Sequence, residues 1–226
     1  MSRESVKLNK DKKLWERKFV VSNYDDDAFQ KLKYQHIIDK TISEISSSDI
    51  VVEVACGTGL ISFEAAKKAH QVYATDISSK MIERCKLKKR NINVNNIEFT
   101  QEDSYSLSFE DNIADKLICC NALHVMGDPS KALTEMKRVL KTEGHILLID
   151  FHVGHAQFIK GWLIKPIIFL SEVAAGRRHF RNYRHFKSIR GLPRLIEESK
   201  FSLKKSKVVA GGTMALYLVR TEKSPM

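Results

Sequence analysis

Ile50-Val51-Val52-Glu53-Val54 runs directly into Ala55-Cys56-Gly57-Thr58-Gly59, and then into Leu60-Ile61-Ser62-Phe63-Glu64-Ala65-Ala66. The first five residues are a short, mostly β-branched apolar run and read as a buried strand. The last group opens a helix expected over Leu60 to Ala69. Between them, small residues let backbone N–H groups approach a ligand closely, at a helix start that favours negative charge. A strand, a glycine turn and a helix in this order serve several nucleotide cofactors, so the neighbouring strands must say which.

Outward from the turn, the pattern repeats. Upstream, Leu32, Ile37, Ile38, Ile42 and Ile45 recur at helical spacing and predict an amphipathic helix over Gln30 to Ser46. Downstream, Gln71 to Thr75 is a strand ending at Asp76, and Ser79 to Lys89 is a helix with Met81, Ile82 and Cys85 inward. Ile97 to Gln101 is a third strand, ending in Glu102-Asp103. Lys116 to Cys120 is a fourth, entered from Asp115 and ended by Asn121. Asp128-Pro129 starts a helix, with Asp as cap and Pro at the first position. Its apolar stripe is Ala132, Leu133, Met136, Val139 and Leu140, with Gly144 as the expected stop. His145 to Phe151 is a fifth strand. Alternating strands and helices predict a doubly wound parallel sheet with helices on both faces. Ligands bind such sheets beyond the carboxyl ends of the strands, here after Val54, Thr75, Gln101, Cys120 and Ile149. After Phe151 an apolar and basic insertion runs to about Arg190. A helix over Leu192 to Ser199 follows, then strands near Phe201 to Val209 and Met214 to Arg220, joined through Gly211-Gly212.

Three features narrow the ligand. A dinucleotide fingerprint needs a third glycine after G-x-G, but Gly57 and Gly59 are followed by Leu60 and Ile61. Asp76 ends the second strand, where a carboxylate accepts both hydroxyls of a ribose. Glu102-Asp103-Ser104 ends the third, where an amide N–H and a carboxylate meet an adenine edge. The ligand implied has adenine and ribose and no phosphate.

These residues together resemble the class I S-adenosylmethionine-dependent methyltransferases. Glu53 to Gly59 resembles the family's first motif, with Ala55 where a glycine is usual. Thr75-Asp76-Ile77-Ser78 with Met81 resembles the second, Glu102-Asp103-Ser104 before Phe109 the third, and Asp115 through Asn121-Ala122-Leu123-His124 the fourth. The resemblance covers about residues 45–151. It implies a Rossmann-like, seven-stranded, mostly parallel sheet with the last strand antiparallel, and a helical insertion after the fifth strand. It implies one methyltransferase domain over 1–226, with 1–49 a helical cap and 152–190 a helical lid. It also implies S-adenosyl-L-methionine as cofactor. In that resemblance Gly57 and Gly59 lie against the cofactor's amino-acid end, with Glu53 orienting the turn or the amine, and Ala55, Cys56 and Thr58 complete the cofactor-binding turn. Asp76 holds the ribose, Ile77 packs on adenine, Met81 belongs to the same cofactor-binding motif, and Asp103 with Ser104 reads the adenine amino group. Asn121 and Leu123 face the sulfonium side, and Tyr24 covers the methionine carboxylate.

The acceptor is read from the rest of the chain. Of 226 residues, 38 are Lys or Arg and 27 Asp or Glu, a formal net charge of +11. Residues 1–150 balance at 23 of each, whereas residues 151–226 hold 15 basic and 4 acidic residues. The whole excess sits in the last third, which suits either an anionic partner or a solvated basic surface. Phe158, Ile159, Trp162, Leu163, Ile164, Ile167, Ile168, Phe169 and Leu170 make the insertion apolar. Arg177-Arg178-His179-Phe180-Arg181-Asn182-Tyr183-Arg184-His185-Phe186-Lys187 follows. Apolar followed by basic and aromatic residues suits an anionic membrane surface, a cover over a lipid-like or other small amphipathic acceptor, or an insertion packed into the core with a solvated basic face. Lys160, Lys165, Pro166 and Glu172 break the run, so it does not span a bilayer cheaply. Gly191-Leu192-Pro193, Phe201, Gly211-Gly212 and Tyr217 resemble the tail of quinone-biosynthesis methyltransferases, with Lys200 where that family has glycine.

Enzymes of this fold that methylate a base amino group usually carry N/D-P-P-Y/F in the fourth motif. Asn121-Ala122-Leu123-His124 does not match it, so a nucleic-acid acceptor is the lesser alternative and a non-catalytic adaptor another. His124, His152 and His155 follow strand ends. His124 is the best placed as a general base, or else shapes the acceptor through hydrogen bonds. Asp150, His152 and His155 have a two-His-one-carboxylate composition, but spacing alone makes no metal site, and no metal is expected. Cys56, Cys85, Cys119 and Cys120 show neither C-x-x-C nor His at ligand spacing, as for reduced thiols in a cytoplasmic protein that is soluble or membrane-associated. Met1 to Lys18 has no apolar core of signal-peptide length.

Overall fold

The computed structural model describes residues 28–152, 173, 176–210 and 213–221. Tyr24, His155, the Gly211-Gly212 joint and most of the apolar insertion lie outside them. The strands form a seven-stranded sheet in the order β3-β2-β1-β4-β5-β7-β6. Two compact units divide the chain, Met1–Leu107 and Ser108–Met226.

In the first unit, α1 (Ala28–Ser43) precedes β1 (Ile50–Val54), α2 (Leu60–Ala66), β2 (Gln71–Asp76), α3 (Ser79–Arg90) and β3 (Ile97–Gln101). β2 pairs in parallel with β1 on one side and β3 on the other, with Val54 opposite Thr75 and Asp76 opposite Gln101. The three strand ends that carry the first three motifs are therefore in step. Helix α1 buries Tyr34, Ile37, Ile38 and Thr41, close to the expected stripe. Helix α2 stops three residues short of Ala69. Lys67 and Lys68 there donate to carbonyls three residues back, the tighter geometry common in a last helical turn. Ser78 caps α3, its hydroxyl accepting from the Met81 N–H at 3.3 Å.

The second unit holds β4 (Ala114–Cys120), α4 (Pro129–Val139), β5 (Leu140–Phe151), α5 (Arg177–Ser188), α6 (Leu192–Glu198), β6 (Phe201–Val209) and β7 (Met214–Thr221). β4 and β5 are parallel, and β7 runs antiparallel to both β5 and β6. Asp128 caps α4 through the Lys131 N–H at 3.0 Å, and Pro129 takes the first helical turn. The expected stop at Gly144 is displaced. The helix ends at Val139 because Leu140 already pairs with Ala114 of β4, and regular register resumes at Lys116 and His145. A Cβ on Gly144 would lie 2.8 Å from Leu140 Cδ1 and 3.0 Å from the Ala114 carbonyl oxygen. The glycine therefore serves close packing inside an irregular strand. Among the described residues, no helix is long and apolar enough to cross a membrane.

Candidate active site

The glycine turn owes its shape to three left-handed residues in alternation: Ala55 (φ 58°), Gly57 (φ 56°) and Gly59 (φ 79°). Left-handed backbone is nearly free for glycine and costs an L-residue energy, so Ala55 holds strain. The neighbours fix this curl. Cys56 N–H donates to the Thr75 carbonyl at 2.9 Å, tying the turn to the end of β2. Helix α3 holds the turn's carbonyls, Lys88 Nζ donating to Thr58 O at 2.9 Å and Cys85 Sγ to Gly57 O at 3.3 Å. At Gly59 a Cβ would stand 3.1–3.2 Å from Phe63, Cys85 and Phe99, so packing beneath the turn demands glycine as firmly as the dihedral does.

Asp76, 8 % exposed at the end of β2, braces the turn from the other side. One carboxylate oxygen accepts the Gly57 N–H at 2.9 Å and the other the Ser78 N–H at 2.9 Å. Burial pushes its pKa up and those two N–H bonds pull it back. Glu53 lies deeper, 2 % exposed, and its carboxyl accepts the Ser62 hydroxyl. Burial pushes its pKa up to about 8, the Ser62 bond opposes this, and Asp76 adds a smaller push upward. Glu53 is thus held mostly protonated at neutral pH. Asp103, half-buried after β3, accepts the Tyr105 N–H at 2.9 Å in a tight turn closed by Ser106 N–H to the Asp103 carbonyl at 3.0 Å. Ser104 and Ile77 are half-buried, while Thr58 and Met81 are buried. Gln101 Nε2 donates to the Ile77 carbonyl at 3.0 Å, holding the second strand end against the third.

In the second unit, β4 ends at Asn121, again left-handed (φ 55°), with its N–H donating to the Ile149 carbonyl at 2.7 Å. Asn121 Oδ1 is buried and, among the described residues, has no hydrogen-bond partner. A short 3₁₀ turn over Leu123–Val125 then places Leu123 and His124 inward. His124 meets a partner that spacing did not reveal. Its Nδ1 lies 2.7 Å from Asp150 Oδ1, its N–H donates to Asp150 Oδ2 at 3.1 Å, and the two side chains are 3 % and 1 % exposed. Asp150 Oδ1 also accepts the Phe151 N–H at 2.7 Å. Rings enclose the imidazole: Phe151 edge-on at 4.6 Å, His179 at 6.0 Å, Tyr183 at 6.2 Å and Phe186 at 6.3 Å. Asn182 Nδ2 clamps α5 to this turn through the Val125 carbonyl at 2.7 Å.

The sequence had raised Asp150 beside His152 only as metal-ligand composition. In the fold it serves His124, while the His152 N–H donates to the Thr213 carbonyl at 2.9 Å. Among the described residues, no three His, Cys, Asp or Glu side chains stand where they would hold a metal ion. In sequence each residue shows only that it lies near the carboxyl end of its own strand; the parallel pairing of β4 with β5 brings them together.

Residues 52–148 match the family model described as a methyltransferase domain. The chain is 38 % identical over 104 residues to the demethylmenaquinone methyltransferase of Bacteroides fragilis, covering 44 % of this chain and 42 % of that one. It is 35 % identical over 113 residues to the ubiquinone/menaquinone biosynthesis C-methyltransferase of Francisella tularensis subsp. novicida, covering 48 % and 45 %. The chain thus matches less than half the length of these curated relatives. Among solved structures, a SAM-dependent methyltransferase from Aquifex aeolicus superposes with TM-score 0.61 at 18 % identity, over 84 % of this chain and 95 % of that one, a likeness of fold.

Proposed function

We propose that this chain, which belongs to the class I S-adenosylmethionine-dependent methyltransferases, is an active enzyme that methylates a small amphipathic or lipid-like acceptor. The observation that carries the cofactor reading is the bracing of the turn by Asp76. Each of its oxygens accepts one backbone N–H. A carboxylate offers about four lone-pair sites, so a pair of vicinal hydroxyls still finds acceptors there. The other residues fit the same ligand. Gly57 is half-exposed at the turn's tip. Glu53 supplies a buried carboxyl beneath it for an ammonium. Ala55, Cys56, Thr58 and Gly59 shape the wall, and Ile77 and Met81 offer apolar surface to a base. Asp103 and Ser104 offer a carboxylate and an amide to its amino edge. We assign Asn121 and Leu123 to the sulfonium side, where Asn121 Oδ1, unpartnered among the described residues, is a ready acceptor.

The cofactor supplies a methyl group already activated on a sulfonium, so the protein's part is alignment and exclusion of water. We assign His124 the proton of an acceptor that arrives protonated. Asp150 at Nδ1, 2.7 Å away, orients the ring for that role. The amphipathic acceptor is supported by the quinone-biosynthesis relatives and by the apolar and basic composition after Phe151. The same composition supports work at an anionic membrane surface.

Labelled S-adenosylmethionine incubated with the protein and cell extract tests the reading. Label is expected in the organic phase, and Asp76→Ala should weaken calorimetric cofactor affinity at least about tenfold, the loss of charged hydrogen bonds. Unchanged affinity in Asp76→Ala would remove the cofactor assignment. Label in RNA alone would move the acceptor to nucleic acid.

A further inference from the structure

We propose that the outward face of α5 docks the protein on a bilayer surface rich in anionic lipid. The helix is sharply two-sided. His179, Asn182, Tyr183 and Phe186 are buried, while Arg177, Arg181 and Arg184 are exposed. At 3.6 residues per turn those three arginines fall within about 60° of arc. His185 and Lys187 are exposed on either flank. Phe180 is half-buried beside the stripe, with the Arg184 guanidinium 6.0 Å over its ring.

Among the described residues the stripe stands uncompensated. Helix α5 contains no Asp or Glu. In the neighbouring α6, Glu197 and Glu198 are both engaged by Arg194, at 3.0 and 2.8 Å. Among the described residues, Arg177, Arg181 and Arg184 form no ion pair with a carboxylate. Like charges at i, i+4 and i, i+3 repel, and Arg177 in the first turn also opposes the helix dipole. The arrangement therefore costs folding energy in the free protein, and an external polyanion relieves that cost. A row of exposed guanidinium groups along one face of a twelve-residue helix offers an array of donors to lipid phosphates. The choice of lipid over nucleic acid rests on the amphipathic-acceptor reading, and on a sequence dense in Phe, Ile, Leu and Trp running into the helix. A groove that tracks single strands also needs exposed aromatic platforms. Here the ring beside the arginines is half-buried.

The full chain is sedimented at low salt with vesicles of phosphatidylcholine alone and with vesicles containing about one third phosphatidylglycerol. Binding is expected only to the second, weakening as salt rises. The triple variant Arg177→Gln, Arg181→Gln, Arg184→Gln should lose about fivefold in partitioning per arginine. Lys204→Gln, Lys205→Gln, Lys207→Gln on exposed β6 removes the same charge and should lose far less. Both triples should fold, the stripe triple melting at or slightly above the parent as the repulsion is relieved, and both should bind S-adenosylmethionine with parent affinity. Equal losses in the two triples would overturn the proposal, since net charge alone would then suffice. So would no vesicle binding at low salt, or stripe-dependent binding to a short RNA that exceeds vesicle binding. Failure of the methyltransferase reading shows separately, as absent cofactor affinity in the parent.

Discussion

Replacing Glu53 by glutamine removes an ionisable group from beneath the glycine turn while keeping its shape and a partner for Ser62. Glu53 has a pKa of about 8 in the fold against an ordinary 4.5. Below the ordinary value both folded and unfolded chains are protonated there, and the site costs nothing. As pH rises, the unfolded chain ionises first, while the folded chain stays protonated until about 8. Stability from this site is therefore full in acid and lost as pH rises between those two values. Each unit is worth about 1.4 kcal/mol, so the accumulated loss approaches about 5 kcal/mol. Glutamine has no such slope. Urea unfolding of parent and Glu53→Gln without cofactor should show the variant's advantage growing by about 2.5 kcal/mol between about pH 5.5 and about pH 7.5. In thermal melts the same growth amounts to about 2–4 °C per kcal/mol. The variant should also bind S-adenosylmethionine more weakly, since glutamine, unlike the buried carboxyl, cannot give up a proton to face the ammonium. A stability difference independent of pH would refute the reasoning, because Glu53 would then ionise alike in both states.

Ala55→Gly should stabilise the protein by about 0.5–1 kcal/mol in urea unfolding, because relief of a left-handed alanine outweighs glycine's extra unfolded freedom; a loss of stability would mean the turn holds no such strain. Asp150→Ala takes the acceptor away from the His124 and Phe151 N–H groups and from the His124 ring at once. It should cost about 2–4 kcal/mol in the same assay. Asp150→Asn, which keeps a side-chain oxygen, should recover part of this, and equal losses in the two variants would show that the oxygen does not matter.

The parallel sheet was legible because its signals are local. A β-branched run ending in small residues, an Asp-Pro helix start and apolar stripes at helical spacing each sit within a dozen residues. Errors fell where a non-local contact overruled such a signal. Gly144 reads as a helix stop, yet Leu140 leaves the helix earlier because a pairing partner, Ala114, stands beside it. The role of Gly59 was half legible. Its turn follows from the sequence, but its burial against Phe63, Cys85 and Phe99 depends on how α2, α3 and β3 pack beneath.

The two parts of the candidate site differ in the same way. The carboxylates at Glu53, Asp76 and Asp103 announce themselves because each ends its own strand, and strand ends are visible one at a time. His124 and Asp150 become a pair only through register. β4 and β5 run in parallel with Cys120 opposite Ile149, so the residues just beyond, 26 positions apart in sequence, arrive at the same edge. A shift of one residue would turn Asp150 to the other face of the sheet and leave the imidazole among rings without its carboxylate. The aromatic enclosure depends further on which side of α5 faces inward, and that is set by burial of His179, Tyr183 and Phe186. The turn that reads as a cofactor site is therefore a local property of the sequence. The surroundings of His124, assigned here to the acceptor, are a property of the assembled second unit, so substitutions in β5 and α5 should alter acceptor choice while leaving cofactor affinity intact.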